Sequence, residues 1–134
     1  MPIVVALLAA VAGMVTYTFQ KRADRKAQLI EIRRSAYRAY LAALLDQISK
    51  PTPETLIQLN KCEFDLFAVA SDKALRKIAE FSNYMIATSY DKIHLRDKSL
   101  HKKQLAEAIL AMRKDCFERS QLSSDEAARL LPME

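Results

Sequence analysis

The chain of 134 residues has one glycine, Gly13, and it lies inside an apolar run, so the whole body that follows is glycine-free. Phosphate-cradling loops, dinucleotide fingerprints and the nucleophile elbow all need glycine where backbone turns tightly or touches a ligand, and all three are excluded. Hairpin turns with positive φ also favour glycine, which argues against an antiparallel sheet and for an all-α body. The two cysteines, Cys62 and Cys116, show no CxxC spacing, and in a cytoplasmic domain they are expected to be reduced. With His94 and His101 they could be read as a nucleophile and base or as zinc ligands, but no two of these residues sit within four positions of each other, as structural zinc sites require. Acidic and basic residues are interspersed along outer helix faces, a solubility pattern. The expectation is a protein with no enzymatic role, no metal and no cofactor. Repeats, low-complexity tracts and flexible linkers are also missing, so the body is expected to be one unit.

Charge is missing from one long stretch. Residues 2–19, PIVVALLAAVAGMVTYTF, carry no charged side chain and are followed directly by Gln20, Lys21 and Arg22. As a helix they cover roughly 27 Å, close to the roughly 30 Å hydrocarbon core of a bilayer. Eight of them (Ile3, Val4, Val5, Leu7, Leu8, Val11, Val15 and Phe19) favour insertion by a summed total of roughly 2–5 kcal/mol. Residues 1–20 are therefore expected to be a transmembrane anchor and residues 21–134 the domain it tethers. Two rivals are weaker. Ala10-Val11-Ala12 resembles a signal cleavage site, but the basic n-region is lacking and the apolar run continues past it. A soluble apolar tail that docks a partner helix is the other, since 18 uncharged residues is at the short end for a span.

Lys21, Arg22, Arg25, Lys26, Arg33 and Arg34 follow the run, and only the chain's amino group precedes it, so the positive-inside rule places the N-terminus outside and the body in the cytoplasm. Tyr17 and Phe19 sit where aromatic rings favour the interface, and Lys21, Arg22, Arg25 and Lys26 are placed to meet anionic lipid headgroups. Ala6 with Ala10 and Ala9 with Gly13 form small-xxx-small pairs through which two spans could approach, giving a homo-oligomer.

Downstream, apolar residues at Ala27, Ile30, Tyr37, Leu41, Leu44 and Ile48 recur in steps of three and four, with Arg34 at the one polar place in that seam. No proline separates this helix from the span, so a single rod of about 45 residues is expected. Pro51 and Pro53 break it, and Thr52 followed by Pro53 reads as an N-cap and first helical position. The second helix, 53–70, is expected to pack Leu56, Leu59, Cys62, Leu66 and Val69, with Phe64 and Phe67 widening the face. Ser71 caps a third helix, 72–95, with Leu75, Ile78, Ser82, Met85, Ser89 and Ile93 inward and Phe81, Ile86 and Tyr90 beside them. A polar connection at 96–100 leads to a fourth helix, 99–119, burying Leu105, Ile109, Met112 and Cys116. Ser123 and Glu126 have capping-box spacing and open a short terminal helix. Short connections imply an up-down-up-down four-helix bundle whose first member rises from the membrane, with the break at residue 71 on the membrane side.

Two side-chain groups stand out in that body. Lys92, Arg96, Lys98, Lys102 and Lys103, with His94 and His101, crowd the membrane-distal connection and could grip an anionic partner, although a solvated helix end is the simpler account. No aromatic platform interleaves them, so nucleic acid is not expected. Arg34 in its seam needs a carboxylate, which Asp115, or else Glu63, could supply.

Three stretches, 32–44 (IRRSAYRAYLAAL), 66–81 (LFAVASDKALRKIAEF) and 110–117 (LAMRKDCF) with the Leu-Ser-Ser-Asp-Glu helix start after it, resemble parts of a recurring set of uncharacterised bacterial membrane proteins built from one N-terminal span and a helical bundle. The resemblance implies that architecture and the bacterial inner membrane, and brings no activity with it. Two functional expectations follow. One is a membrane-held, non-enzymatic module for self-assembly or protein docking. The other is a small oligomerising effector whose span perturbs the bilayer on a signal received by the body.

Overall fold

The computed structural model describes residues 1–116 and 120–133, and among these all regular structure is helical. The elements are α1 (Pro2–Ser49), α2 (Pro53–Val69), α3 (Asp72–Ala87), a 3-10 helix (Tyr90–Leu95), α4 (Lys98–Cys116) and α5 (Ser124–Leu130). The far end of the fourth helix expected from sequence, 117–119, lies outside the described residues. α1 is one uninterrupted helix of 48 residues, about 72 Å long, so apolar run and body helix do form a single rod.

Each break is made by its local sequence. Thr52 caps α2 by accepting from the Thr55 amide, while the Thr55 hydroxyl oxygen accepts from the Thr52 amide, a reciprocal box with Thr in the place usually held by Glu. Ser71 caps α3 through the Ala74 amide at 3.2 Å. Ser123 and Glu126 form the expected box at the start of α5.

The third helix is shorter than its periodicity implies. α3 stops at Ala87, where the Thr88 hydroxyl donates to the Tyr84 carbonyl at 2.8 Å and the Ser89 hydroxyl to that of Ile86 at 2.7 Å. Side-chain hydroxyls compete here with the backbone ladder. Tyr90 then takes a left-handed φ of 53°, and the chain continues as the 3-10 turn.

α1 packs along α2, α3 along α4, and α4 also meets α1 and α5. Tyr40, Leu66 and Phe81 are the largest fully buried side chains, joined by Tyr37, Leu44, Cys62, Ile78, Leu105, Met112 and Cys116. Ile30 is the first residue of α1 to lose solvent, and residues 2–29 are exposed throughout. Several expected core residues are therefore outside. Ala27 precedes the packed part of the rod, Ile48 lies at its open end, Leu56 stands at the rim of α2, and Phe64, Phe67, Ile86, Tyr90 and Ile93 face solvent.

Candidate functional site

Residues 2–29 of α1 stand clear of the body for about 42 Å, and none of their apolar window is buried. Within the described residues α1 is the one helix long and apolar enough to cross a membrane. Its two threonine hydroxyls are satisfied inside the helix: Thr16 donates to the Ala12 carbonyl and Thr18 to that of Val15, both at 2.8 Å. The threonines thus need no outside partner, as a lipid environment requires, and the Tyr17 phenol lies near the polar end of the run. Ala6, Ala9, Ala10 and Gly13 lie on this open length, and a methyl group added at Gly13 would meet nothing within 4 Å. At the polar end the Lys21 ammonium lies 5.7 Å from the centre of the Tyr17 ring, a cation–π pair. Phe19, Arg22, Arg25 and Lys26 are all exposed beside it.

Where the rod enters the body, polar groups join α1, α2, α3 and α4. Arg33 donates through Nε to the Val69 carbonyl at 2.6 Å, holding the C-terminal end of α2. Arg34 donates to Glu31 at 2.9 Å and to the Cys116 carbonyl at 3.2 Å. Asp115 accepts from the Tyr37 hydroxyl and from the Ser71 hydroxyl, the latter at 2.6 Å. The expected Arg34–Asp115 pair is thus corrected: the two residues meet at the same joint but take different partners, because Tyr37 and the α3 cap reach the carboxylate. Glu63, the other carboxylate considered for Arg34, accepts from Ser82 at 2.7 Å beside buried Tyr40. Burial, and then the Asp115 carboxylate, raises the Tyr37 phenol well above the ordinary tyrosine range, and burial also pushes up the Cys62 and Cys116 thiols. Both thiols are free and buried.

At the far end the basic residues part company. Lys92 and Lys98 are exposed. Arg96 turns inward and donates to the Thr88 hydroxyl at 2.9 Å and to the Thr88 and Met85 carbonyls at 3.0 and 3.3 Å, closing the C-terminus of α3. Lys102 is half-buried and Lys103 pairs with Asp125 of α5 at 3.3 Å. His101, expected among solvated charges, is buried, with its ring 5.2 Å from that of Phe81 and 6.5 Å from that of Tyr84. Burial, and then the Arg96 charge, lowers its pKa below the ordinary histidine value.

Two surface features escaped sequence reasoning. One is a recess of about 450 Å³ lined by Lys73, Lys77, Glu107, Leu110, Lys114 and Leu122, in which Lys77 is committed to Glu80 and Glu107 at 2.9 and 3.0 Å. The other is the outer face of α2, where Ile57, Phe64 and Phe67 project into solvent. Their spacing by seven and three, one side of the helix, was the signal that could have found it. Among the described residues no three His, Cys, Asp or Glu side chains gather in a metal-binding group. No family model, curated protein or solved structure matches the chain.

Proposed function

We propose that this protein is a single-pass, membrane-anchored, non-enzymatic module of the bacterial inner membrane, which holds a helical body at the cytoplasmic face for self-assembly or for docking a protein partner. The observation that carries this reading is the uncovered apolar length of α1: residues 2–19 are exposed to a degree that water would not tolerate in an isolated chain, and they end at a cation–π pair and a cluster of four cations. Lys21, Arg22, Arg25 and Lys26 then meet anionic headgroups, and the positive-inside bias turns the body to the cytoplasm. Ala6, Ala9, Ala10 and Gly13 provide the close approach between spans.

In this reading α1 to α4 make an up-down-up-down bundle with α5 closing one end, supported by the short connections and by the packing of α1 on α2 and α3 on α4. The test is membrane fractionation of the full-length chain. It should sediment with membranes, resist alkaline carbonate and enter the supernatant on addition of detergent. Recovery in the high-speed supernatant without detergent overturns the reading.

A further inference from the structure

The recess beside α3 and α4 is built by two helix faces. Glu107, Leu110, Ala111 and Lys114 fall at the i, i+3, i+4, i+7 spacing of one side of α4, and Lys73 and Lys77 lie one turn apart on α3. The helices run antiparallel, because Ser71 meets Asp115 and Lys77 meets Glu107, so the two faces lie side by side. Ser120 and Leu122, on the connection to α5, line the remaining side of a volume of about 450 Å³, within the range of small-molecule sites.

Its charges do not balance. Lys77 is held by Glu80 and Glu107 at 2.9 and 3.0 Å, whereas Lys73 and Lys114 are exposed and make no ion pair or hydrogen bond among the described residues. Of the other carboxylates nearby, Asp115 is taken up by Tyr37 and Ser71, and Asp72 heads α3 outside the lining. Three ammonium groups thus share the lining with the one carboxylate of Glu107, and Glu80 reaches Lys77 from its edge. Leu110, Ala111 and Leu122 supply apolar surface between them. A concave site with one sign of charge in excess and apolar walls focuses its field, unlike lysines on a convex surface.

We propose that this recess binds a small soluble organic phosphate, with Lys73 and Lys114 on the phosphate and Leu110 and Leu122 against its apolar part. Two unpaired cations call for a dianion: a phosphate monoester carries about −1.5 to −2 at pH 7, whereas one carboxylate would leave a lysine unmatched. Lysine serves phosphate as a point charge and needs none of the glycine-built backbone cradle that this body lacks. The Ser120 hydroxyl oxygen accepts from the Leu122 amide at 3.3 Å, and its own proton is left to donate. The choice of a dissolved ligand over a lipid rests on the membrane-anchored reading. Cys116, at the foot of α4, bonds to Arg34, about 21 Å along the rod from Gln20, and the recess lines α4 from there away from the bilayer.

Amide NMR of the full-length chain in uncharged detergent, titrated with phenyl phosphate, tests the site. The Lys73, Lys77, Ala111 and Lys114 amides should shift and saturate below roughly 10 mM. Lys73→Gln with Lys114→Gln should weaken binding roughly tenfold or more with the helical circular dichroism unchanged, while Arg76→Gln, an exposed cation on α3 outside the recess, should not. Leu122→Ser should weaken phenyl phosphate and leave inorganic phosphate, the poorer ligand, unchanged. Shifts that do not saturate or that fall elsewhere overturn the site, as do equal losses in R76Q and the double variant, or inorganic phosphate binding as tightly as phenyl phosphate. Phosphatidic acid added to the micelles should not compete; competition that the double variant abolishes makes the ligand a lipid and overturns the dissolved source. All of these outcomes are read in detergent, so the anchor stands or falls by fractionation alone.

Discussion

The Ser71 hydroxyl does two jobs at once: it accepts the Ala74 amide to cap α3 and donates to Asp115, 44 residues away on α4, at 2.6 Å. The same carboxylate accepts from Tyr37 on α1. One side chain on α4 thereby holds the start of α3 and the rod together. Replacing Asp115 by Ala strips both donors of their acceptor, and hydrogen bonds to a charged group are each worth about 1.5–3 kcal/mol. The D115A variant should be destabilised by about 2–4 kcal/mol in urea unfolding followed by circular dichroism, given that the two bonds share one site. Asp115→Asn, which keeps an acceptor oxygen, should lose less.

His101 predicts an acid-sensitive far end. Its folded pKa is lowered by burial and by Arg96, so the unfolded chain binds a proton below about pH 6.5 that the folded chain resists. Stability is therefore complete above that pH and declines as pH falls through it. The urea midpoint should drop between pH 7 and pH 5, and H101F, which keeps a ring against Phe81, should flatten that drop. An NMR titration should place the His101 midpoint below 6.5.

Tyr90 holds a left-handed φ of 53° with its side chain in solvent, 88% exposed. A side chain bearing a Cβ costs roughly 1–2 kcal/mol there, and asparagine tolerates the region better. Y90N should raise stability by about 0.5–1 kcal/mol, visible as a higher melting temperature. Tyr90→Pro, which locks φ near −65°, should lower it.

The span's insertion energy of roughly 2–5 kcal/mol is small enough for one charge to cancel. Val11→Arg adds roughly 2.5–3.5 kcal/mol of cost plus the valine's lost contribution. The V11R chain should move substantially from the membrane pellet to the supernatant or to aggregates, while Leu45→Arg, an exposed position on the body part of the same helix, should leave fractionation unchanged.

Sequence made the helix starts legible because they are local: Thr52, Ser71 and Ser123 each cap within four residues, and the missing proline and glycine made α1 continuous. Side-chain placement was less legible. α2 repeats apolar residues on both faces, so periodicity could not say whether Phe64 belonged with Cys62 or with solvent, and packing against α1 decided it. Ala27 fits the α1 seam by spacing, yet the body ends near Ile30, a boundary set by how far α2 and α4 reach. Tyr40 and Ala43 lay outside the counted seam and are buried because the contact with α2 and α4 wraps more of the helix than one stripe. At the joint, the expected Arg34–Asp115 pair names two residues that both lie there and bond to other groups. Asp115 took its partners from the Tyr37 and Ser71 hydroxyls, which charge matching does not consider, while Arg34 took the Cys116 carbonyl and Glu31, one helical turn away on its own helix. Arg96 and His101 were read as surface charge because a 3-10 turn and the end of α3, invisible to a 3.6-residue period, fold over them.

Residues 20–29 have helical geometry and are exposed throughout, so their number is also an angle. Each residue inserted there advances the body by about 1.5 Å and turns it by about 100° around the rod. Adding two would point α2 to nearly the opposite compass bearing, and adding seven would bring it back to within about 20° at a greater height. The azimuth of everything beyond Ile30 is thus written in the count of these ten positions, a dial that selection can set without altering either end.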